Sequence, residues 1–157
     1  MNKTNKFLQI AINEANFGIQ KNHGGPFGAV IVKKGKIIAQ AHSEVLKNND
    51  PTNHAEILAI SRAAKKLNRF NLSDCEIYST SEPCLMCLGA IFWAKIKKIY
   101  YGCGQQDAAK IGFKDKDIYD FLKTGKGKIK IIEKQINRTE CLKIFQNWQN
   151  KENKKLY

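Results

Sequence analysis

The sequence predicts an α/β fold, a three-layer α/β/α sandwich around one mixed five-stranded sheet. Three observations carry that expectation. Short β-rich runs alternate with helical stretches along the chain. The first two runs are split by Lys33-Lys34-Gly35, the signal of an opening hairpin. The 157 residues, 43% of them apolar, are enough for one domain with a buried core and too few for two.

Each element has its own local reason. Phe7, Leu8, Ala11, Ala15 and Ile19 recur near helical period over residues 6–20, and Gly24-Gly25-Pro26 stops that helix. Residues 27–32 and 36–41 are the hairpin strands. A polar loop is expected over 42–52, with Asp50-Pro51-Thr52 supplying turn and cap chemistry for a helix over about 53–67. Residues 75–80 read as a buried strand, and Pro83 introduces a helix through residue 95, where a first-turn proline costs no hydrogen bond. A strand follows at 97–102, then a loop and a short helix near 117–123. A Gly/Lys-rich turn at 124–128 precedes a fifth strand at 129–133 and a last helix near 139–150. The polar tail reaching Tyr157 reads as frayed.

Composition narrows the setting. No run has the roughly eighteen uninterrupted apolar residues of a membrane span. The N-terminus carries Lys3 and Lys6 without an apolar core and small-residue cleavage site, so a soluble, cytoplasmic protein is expected. Net charge is +13, yet among 27 basic residues only Arg62, Arg69 and Arg138 are arginines. The lysines are scattered, which disfavours a dedicated nucleic-acid face, since phosphate and base readout recruits arginine and aromatics. Five cysteines form an odd set in a reducing compartment, where a disulfide framework is not expected. Cys84 and Cys87 have ligand spacing, while Cys75, Cys103 and Cys141 read as small apolar groups.

Two helix starts carry the chemistry. Asn53-His54-Ala55-Glu56 opens one, and Pro83-Cys84-Leu85-Met86-Cys87 opens the other. Cys84 and Cys87, three apart, share a helix face and can grip one ion. His54 and Glu56 would diverge by about 200° on a helix body, but at a helix start both can meet a site in front of the first turn. Facing starts would place His54, Cys84 and Cys87 around one zinc with the fourth position open. Three ligands and an open position suit catalytic zinc, whereas structural zinc is closed by a fourth. Zinc brings the pKa of water to about 7, and Glu56 would move the proton to a departing amine. A closed structural site with Cys75 or Cys103 as fourth ligand, and a redox Cys-x-x-Cys pair, stay open at this point.

Together the segments match the His-x-Glu and Pro-Cys-x-x-Cys signature of the cytidine-deaminase-like zinc deaminases, and the chain resembles that family. Residues 24–32, 49–56, 81–94, 107–119 and 153–157 resemble its bacterial guanine deaminases, so the likeness spans nearly the whole chain. The tRNA adenosine deaminases share the zinc motifs but usually carry valine where Phe27 stands. The resemblance implies one zinc per chain on His54, Cys84 and Cys87, with Glu56 as proton shuttle and Asp115 as a second catalytic carboxylate. It implies a base pocket lined by Phe27, Trp93 and Phe113, with the backbone N–H of Ala55 and the C-terminal Tyr157 reaching the substrate. It also implies a homodimer that exchanges the C-terminal segment, about 135–157, within a single domain of residues 1–157.

The reaction implied is hydrolytic deamination of guanine to xanthine and ammonia. Two positions depart from the family pattern. Ser43 stands where an asparagine usually bonds the base, and Lys114 stands where an acidic residue is common. A serine offers one rotatable hydroxyl in place of an amide donor and acceptor. Guanosine, another aminopurine or a triazine therefore stand as alternative small-molecule substrates, ahead of a nucleic-acid adenosine.

Overall fold

The computed structural model describes residues 3–113, 115–124 and 134–152. In chain order the elements are α1 (Lys3–Gln20), β1 (Gly28–Lys33), β2 (Lys36–His42), α2 (Val45–Asn48), α3 (Ala55–Leu67) and β3 (Cys75–Ser81). After these come α4 (Leu85–Trp93), β4 (Lys98–Cys103), α5 (Gln105–Lys110), α6 (Lys116–Thr124) and α7 (Arg138–Asn150).

Among the described residues the sheet has four strands, not five, in the order β2-β1-β3-β4. The expected fifth strand, 129–133, lies outside the described residues. The sheet is mixed as predicted: β1 pairs antiparallel with β2 and β3, and β3 pairs parallel with β4. The hairpin register shifts between Ile31 and Val32, a bulge that places Ile31 opposite Ala39 and Val32 opposite Ile37.

Helices cover both faces, and the period-two alternation of β1 divides its side chains between them. Ala29 and Ile31 pack with Ala55, Ala59, Ala63, Ile77 and Ile91 on the α3/α4 side. Val30 and Val32 pack with Phe7, Ala11 and Tyr78 on the α1 side. A strand buried on both faces reads as a continuous apolar run, as 27–32 does. Helix α1 approaches β1 so closely that a Cβ at Gly28 would lie 2.0 Å from the Ala11 carbonyl oxygen, so only glycine fits there.

Several local expectations shift. Residues 45–48 of the expected 42–52 loop form the single turn α2, and Gln105–Lys110 form α5 where a loop was expected. Pro83 precedes the cap of α4 and does not sit in its first turn, because Cys84 holds extended backbone as the N-cap. Asparagine, abundant in this chain, has a conformational use: Asn22, Asn49, Asn68 and Asn137 take left-handed backbone, with Asn49 and Asn68 ending α2 and α3. Cys75 is buried as expected, but Cys103 and Cys141 are exposed. Among the described residues no helix is long and apolar enough to cross a membrane.

Candidate active site

The site forms where the N-termini of α3 and α4 meet. His54 is the N-cap of α3 and Cys84 the N-cap of α4, both with extended backbone and neither with a side-chain capping bond. N-caps are usually filled by side chains that accept from the helix's free N–H groups. Here both side chains turn instead toward a common point. Asp50 holds the approach to α3: its carboxylate accepts from the Thr52 amide at 2.8 Å and the Thr52 hydroxyl at 2.6 Å, and it also bonds the Asn53 side chain.

His54 Nδ1 lies 3.6 Å from Cys84 Sγ and 3.5 Å from Cys87 Sγ. The three donor atoms all fall within 4.8 Å of one another, and among the described residues no fourth His, Cys, Asp or Glu joins them. Zinc bonds of about 2.05 Å to nitrogen and 2.3 Å to sulfur at the tetrahedral angle set a nitrogen–sulfur edge of about 3.6 Å. The two nitrogen–sulfur separations thus match the edges of a tetrahedral zinc site, and an imidazole with two thiols is a suitable set for that ion. Cys75 is buried beside Asp74, with Sγ 3.5 Å from its carboxylate, and Cys103 is exposed on β4, so neither closes the site.

Electrostatics favour ligation. The hydrogen bond from Cys87 and, against the cost of burial, that from His54 bring the Cys84 thiol down to about 4. Cys87, donating to Cys84 and buried, is pushed up. The bond to Cys84 raises His54. A cation at the shared point would favour the thiolate form of both cysteines.

Glu56, in the first turn of α3, is 4% exposed. The Ser79 hydroxyl donates to its Oε1 at 2.8 Å, and the Cys87 thiol donates to its Oε2 at 3.4 Å. Burial pushes its carboxyl up, so a proton is held there more readily than on a surface glutamate. Asp115 is raised for the same reason, with the Cys84 thiolate adding to the effect.

These groups border a cavity of about 430 Å³ whose walls include Phe27, Ser43, His54, Glu56, Phe113 and Asp115. The Phe27 and Phe113 rings meet edge to face with centroids 4.7 Å apart, making an apolar wall on one side. The Ser43 amide donates to the Phe27 carbonyl, which holds the two residues together. Ala55 is fully buried at the first position of α3, where backbone N–H groups have no partner within the helix.

Most of the expected residues therefore converge, and among the described ones Trp93 does not. Trp93 ends α4, some 12 Å along the helix from its start at 1.5 Å per residue, and is 57% exposed with its ring against Phe92 and Lys95. Tyr157 and Lys114 lie outside the described residues. Sequence reasoning missed Ser79, Ser81, Glu82 and the Gly24-Gly25 wall. Ser79 and Ser81 carried a signal, since they are polar residues near the carboxyl end of a buried strand, where open α/β sheets place ligands.

Comparison with known proteins agrees with this geometry. The cytidine and deoxycytidylate deaminase zinc-binding region matches residues 1–103. The chain is 46% identical over 151 residues to the guanine deaminase of Bacillus subtilis, covering 96% of this chain and 97% of that one. It is 35% identical over 147 residues to a tRNA-specific adenosine deaminase of Buchnera aphidicola, covering 94% of each. The X-ray structure of the Bacillus subtilis guanine deaminase superposes with a TM-score of 0.91 over 98% of both chains.

Proposed function

The chain belongs to the cytidine and deoxycytidylate deaminase zinc-binding family, and from that premise we propose that it is a hydrolytic deaminase that converts guanine and water to xanthine and ammonia. The observation that carries the reading is a buried Glu56 lining the same cavity as His54, Cys84 and an aromatic pair. Near-full-length similarity to a guanine deaminase supports the choice of ring.

His54, Cys84 and Cys87 would hold one zinc ion per chain. Bound there, zinc supplies a Lewis acid that brings the pKa of a water close to neutrality. The residues of the chain do the rest. Glu56, kept in place by Ser79, takes a proton from the attacking water and delivers it to the departing amine. Its raised proton affinity suits both halves of that transfer. Asp115 assists at the ring. Phe27 and Phe113 receive the flat purine and exclude water from its faces. Ser43 presents a hydroxyl, and Ala55 a backbone N–H at the positive end of α3, to the polar edge of the base.

The C-terminal segment is proposed to pair two copies by exchange. Helix α7 supports this because Ile144 and Phe145 are 66% and 70% exposed. A 13-residue helix is marginal in water without a packed apolar face. Exposed Leu88 and Phe92 on α4 offer a similar surface. Tyr157, and with it Trp93, would complete the cavity in such a pair. The free thiols fit a reducing, cytoplasmic setting.

The test is a substrate panel on zinc-loaded protein, with guanine, guanosine, 2,6-diaminopurine, a triazine and a tRNA, followed by ultraviolet absorbance and ammonia release. Guanine should give the highest kcat/KM. Turnover of the tRNA adenosine alone would overturn the choice of substrate, and turnover of none would overturn the reaction.

A further inference from the structure

Resting on the deaminase reading, we propose that Glu82 and Tyr119 are positioning residues that tie the segments carrying Phe113 and Asp115 to the loop that carries Cys84. The juxtaposition is specific. Glu82 borders the same cavity as Glu56 and Asp115, yet its carboxylate is already committed. Its Oε2 accepts from the Gln105 amide at 3.2 Å, and its Oε1 accepts from the Gln105 side chain at 3.2 Å. The Glu82 amide in turn donates to the Cys103 carbonyl at 2.8 Å. A carboxylate at the first turn of α5 also meets the favourable end of the helix dipole.

From that anchor α5 leads directly to the cavity. Asp107 accepts from the Gly104 amide at 3.1 Å and fixes the start of the helix. At its end Gly112 takes a φ of +101°, open to glycine and strained for other residues, and the Phe113 amide donates to the Ala108 carbonyl at 3.1 Å. The Phe113 ring is thereby set against Phe27.

The second anchor lies one residue further along the same loop. The Tyr119 hydroxyl donates to the Pro83 carbonyl at 3.5 Å. Tyr119 belongs to the turn that begins at Asp115, whose carbonyl accepts from the Ile118 and Tyr119 amides at 3.1 and 3.4 Å. Consecutive residues 82 and 83, immediately before Cys84, therefore hold the segment entering Phe113 and the segment leaving Asp115. Any shift of the metal loop is transmitted to both, and the carboxylate that assists the reaction stays in register with the metal ligands.

The experiment uses the full-length zinc-loaded protein and the variants Glu82→Ala, Glu82→Gln, Tyr119→Phe, Asp115→Asn and Glu82→Ala/Asp115→Asn. Glu82→Ala and Tyr119→Phe should each lower kcat/KM for guanine about tenfold with zinc content unchanged, the scale expected for one or two lost hydrogen bonds. Glu82→Gln should recover most of the loss, because a flipped Gln105 amide can still pair with it. In the Asp115→Asn background, Glu82→Ala should lower kcat by no more than about twofold, since the two act as one unit. Amide hydrogen exchange at Phe113, Ile118 and Tyr119 should quicken at least tenfold in Glu82→Ala and Tyr119→Phe, while Leu58 and Leu88 in the first turns of α3 and α4 stay protected. Multiplicative losses across the double-mutant cycle, or unchanged exchange at those three amides, would overturn the proposal. Should Glu82→Ala fail to fold, Tyr119→Phe, alone and combined with Asp115→Asn, carries the same two readouts. If wild-type protein turns over no guanine, the choice of guanine as substrate fails on that result, and exchange alone decides whether the two anchors hold.

Discussion

Ser79 Oγ donates to Glu56 Oε1 at 2.8 Å across the buried interface between β3 and α3. Both residues are almost completely shielded from water. The bond fixes which way a buried carboxylate points, and the second oxygen is left facing the metal ligands through Cys87. Ser79→Ala removes the donor and leaves a buried acceptor unmatched, a cost of about 1–3 kcal/mol. We expect thermal stability to fall by that scale and kcat for guanine to fall roughly tenfold, with KM little changed, because the lost contact serves orientation and not binding. Steady-state kinetics and a thermal melt on the same preparation check both halves.

Ser43 borders the cavity opposite an unusually close backbone, since a Cβ on Gly24 would lie 2.6 Å from its hydroxyl oxygen. Asparagine at this position would offer a paired donor and acceptor to the polar edge of a purine where serine offers a single hydroxyl. Ser43→Asn should therefore lower KM for guanine several-fold and sharpen discrimination against rings that lack that edge. An unchanged KM across the substrate panel would remove Ser43 from the recognition surface.

The ligand set predicts how the metal leaves. Cys87 is 1% exposed and Cys84 9%, so Cys87→Ala should reduce zinc from about one ion per chain to near zero, as read by elemental mass spectrometry. Zinc that binds only the folded chain stabilises it by about 4 kcal/mol at a thousandfold excess over Kd. A strong chelator should accordingly lower the melting temperature of the wild type and leave that of Cys87→Ala nearly unchanged.

Acid should loosen the wall behind Ser43. His23 Nδ1 lies 2.9 Å from His42 Nε2, and His42 Nδ1 lies 3.0 Å from Glu14 Oε2. Burial, then the Lys47 ammonium and His42, hold His23 below its ordinary 6.5, with Glu44 opposing. Its neutral form is thus the one the fold prefers. That contribution to stability is complete above 6.5 and is lost as pH falls through the lowered folded value. Melting temperature should begin to drop as pH falls below about 6.5, and His23→Gln should flatten that limb. The lowered carboxyl groups of Glu44 and Asp50 titrate in a separate, more acidic window, so the two effects are separable.

Much of this was legible in the sequence because the signals were local. The β1 run announces a strand buried on both faces, and the two helix starts announce the ligand cluster through residue type and spacing. What stayed hidden depends on tertiary approach. Phe113 by itself reads as core packing, and only its contact with Phe27 reveals a cavity wall. Glu82 and Ser79 become functional through partners 23 residues away in the chain, on α5 and α3. Periodicity cannot report those contacts. Helices α2 and α5 were missed because four and six residues are too few to show a 3.6-residue repeat. Trp93 shows the converse: a residue matched by motif lies at the far end of its helix from the metal ligands.

The most direct test of the central claim is the fate of guanine in heavy-oxygen water, with wild type and Glu56→Gln compared at matched zinc content. The account predicts xanthine carrying one heavy oxygen from the wild type, and a rate lower by about a thousandfold in Glu56→Gln, within the range for loss of a general acid–base group. Equal rates from the two proteins, or xanthine without solvent oxygen, would contradict it.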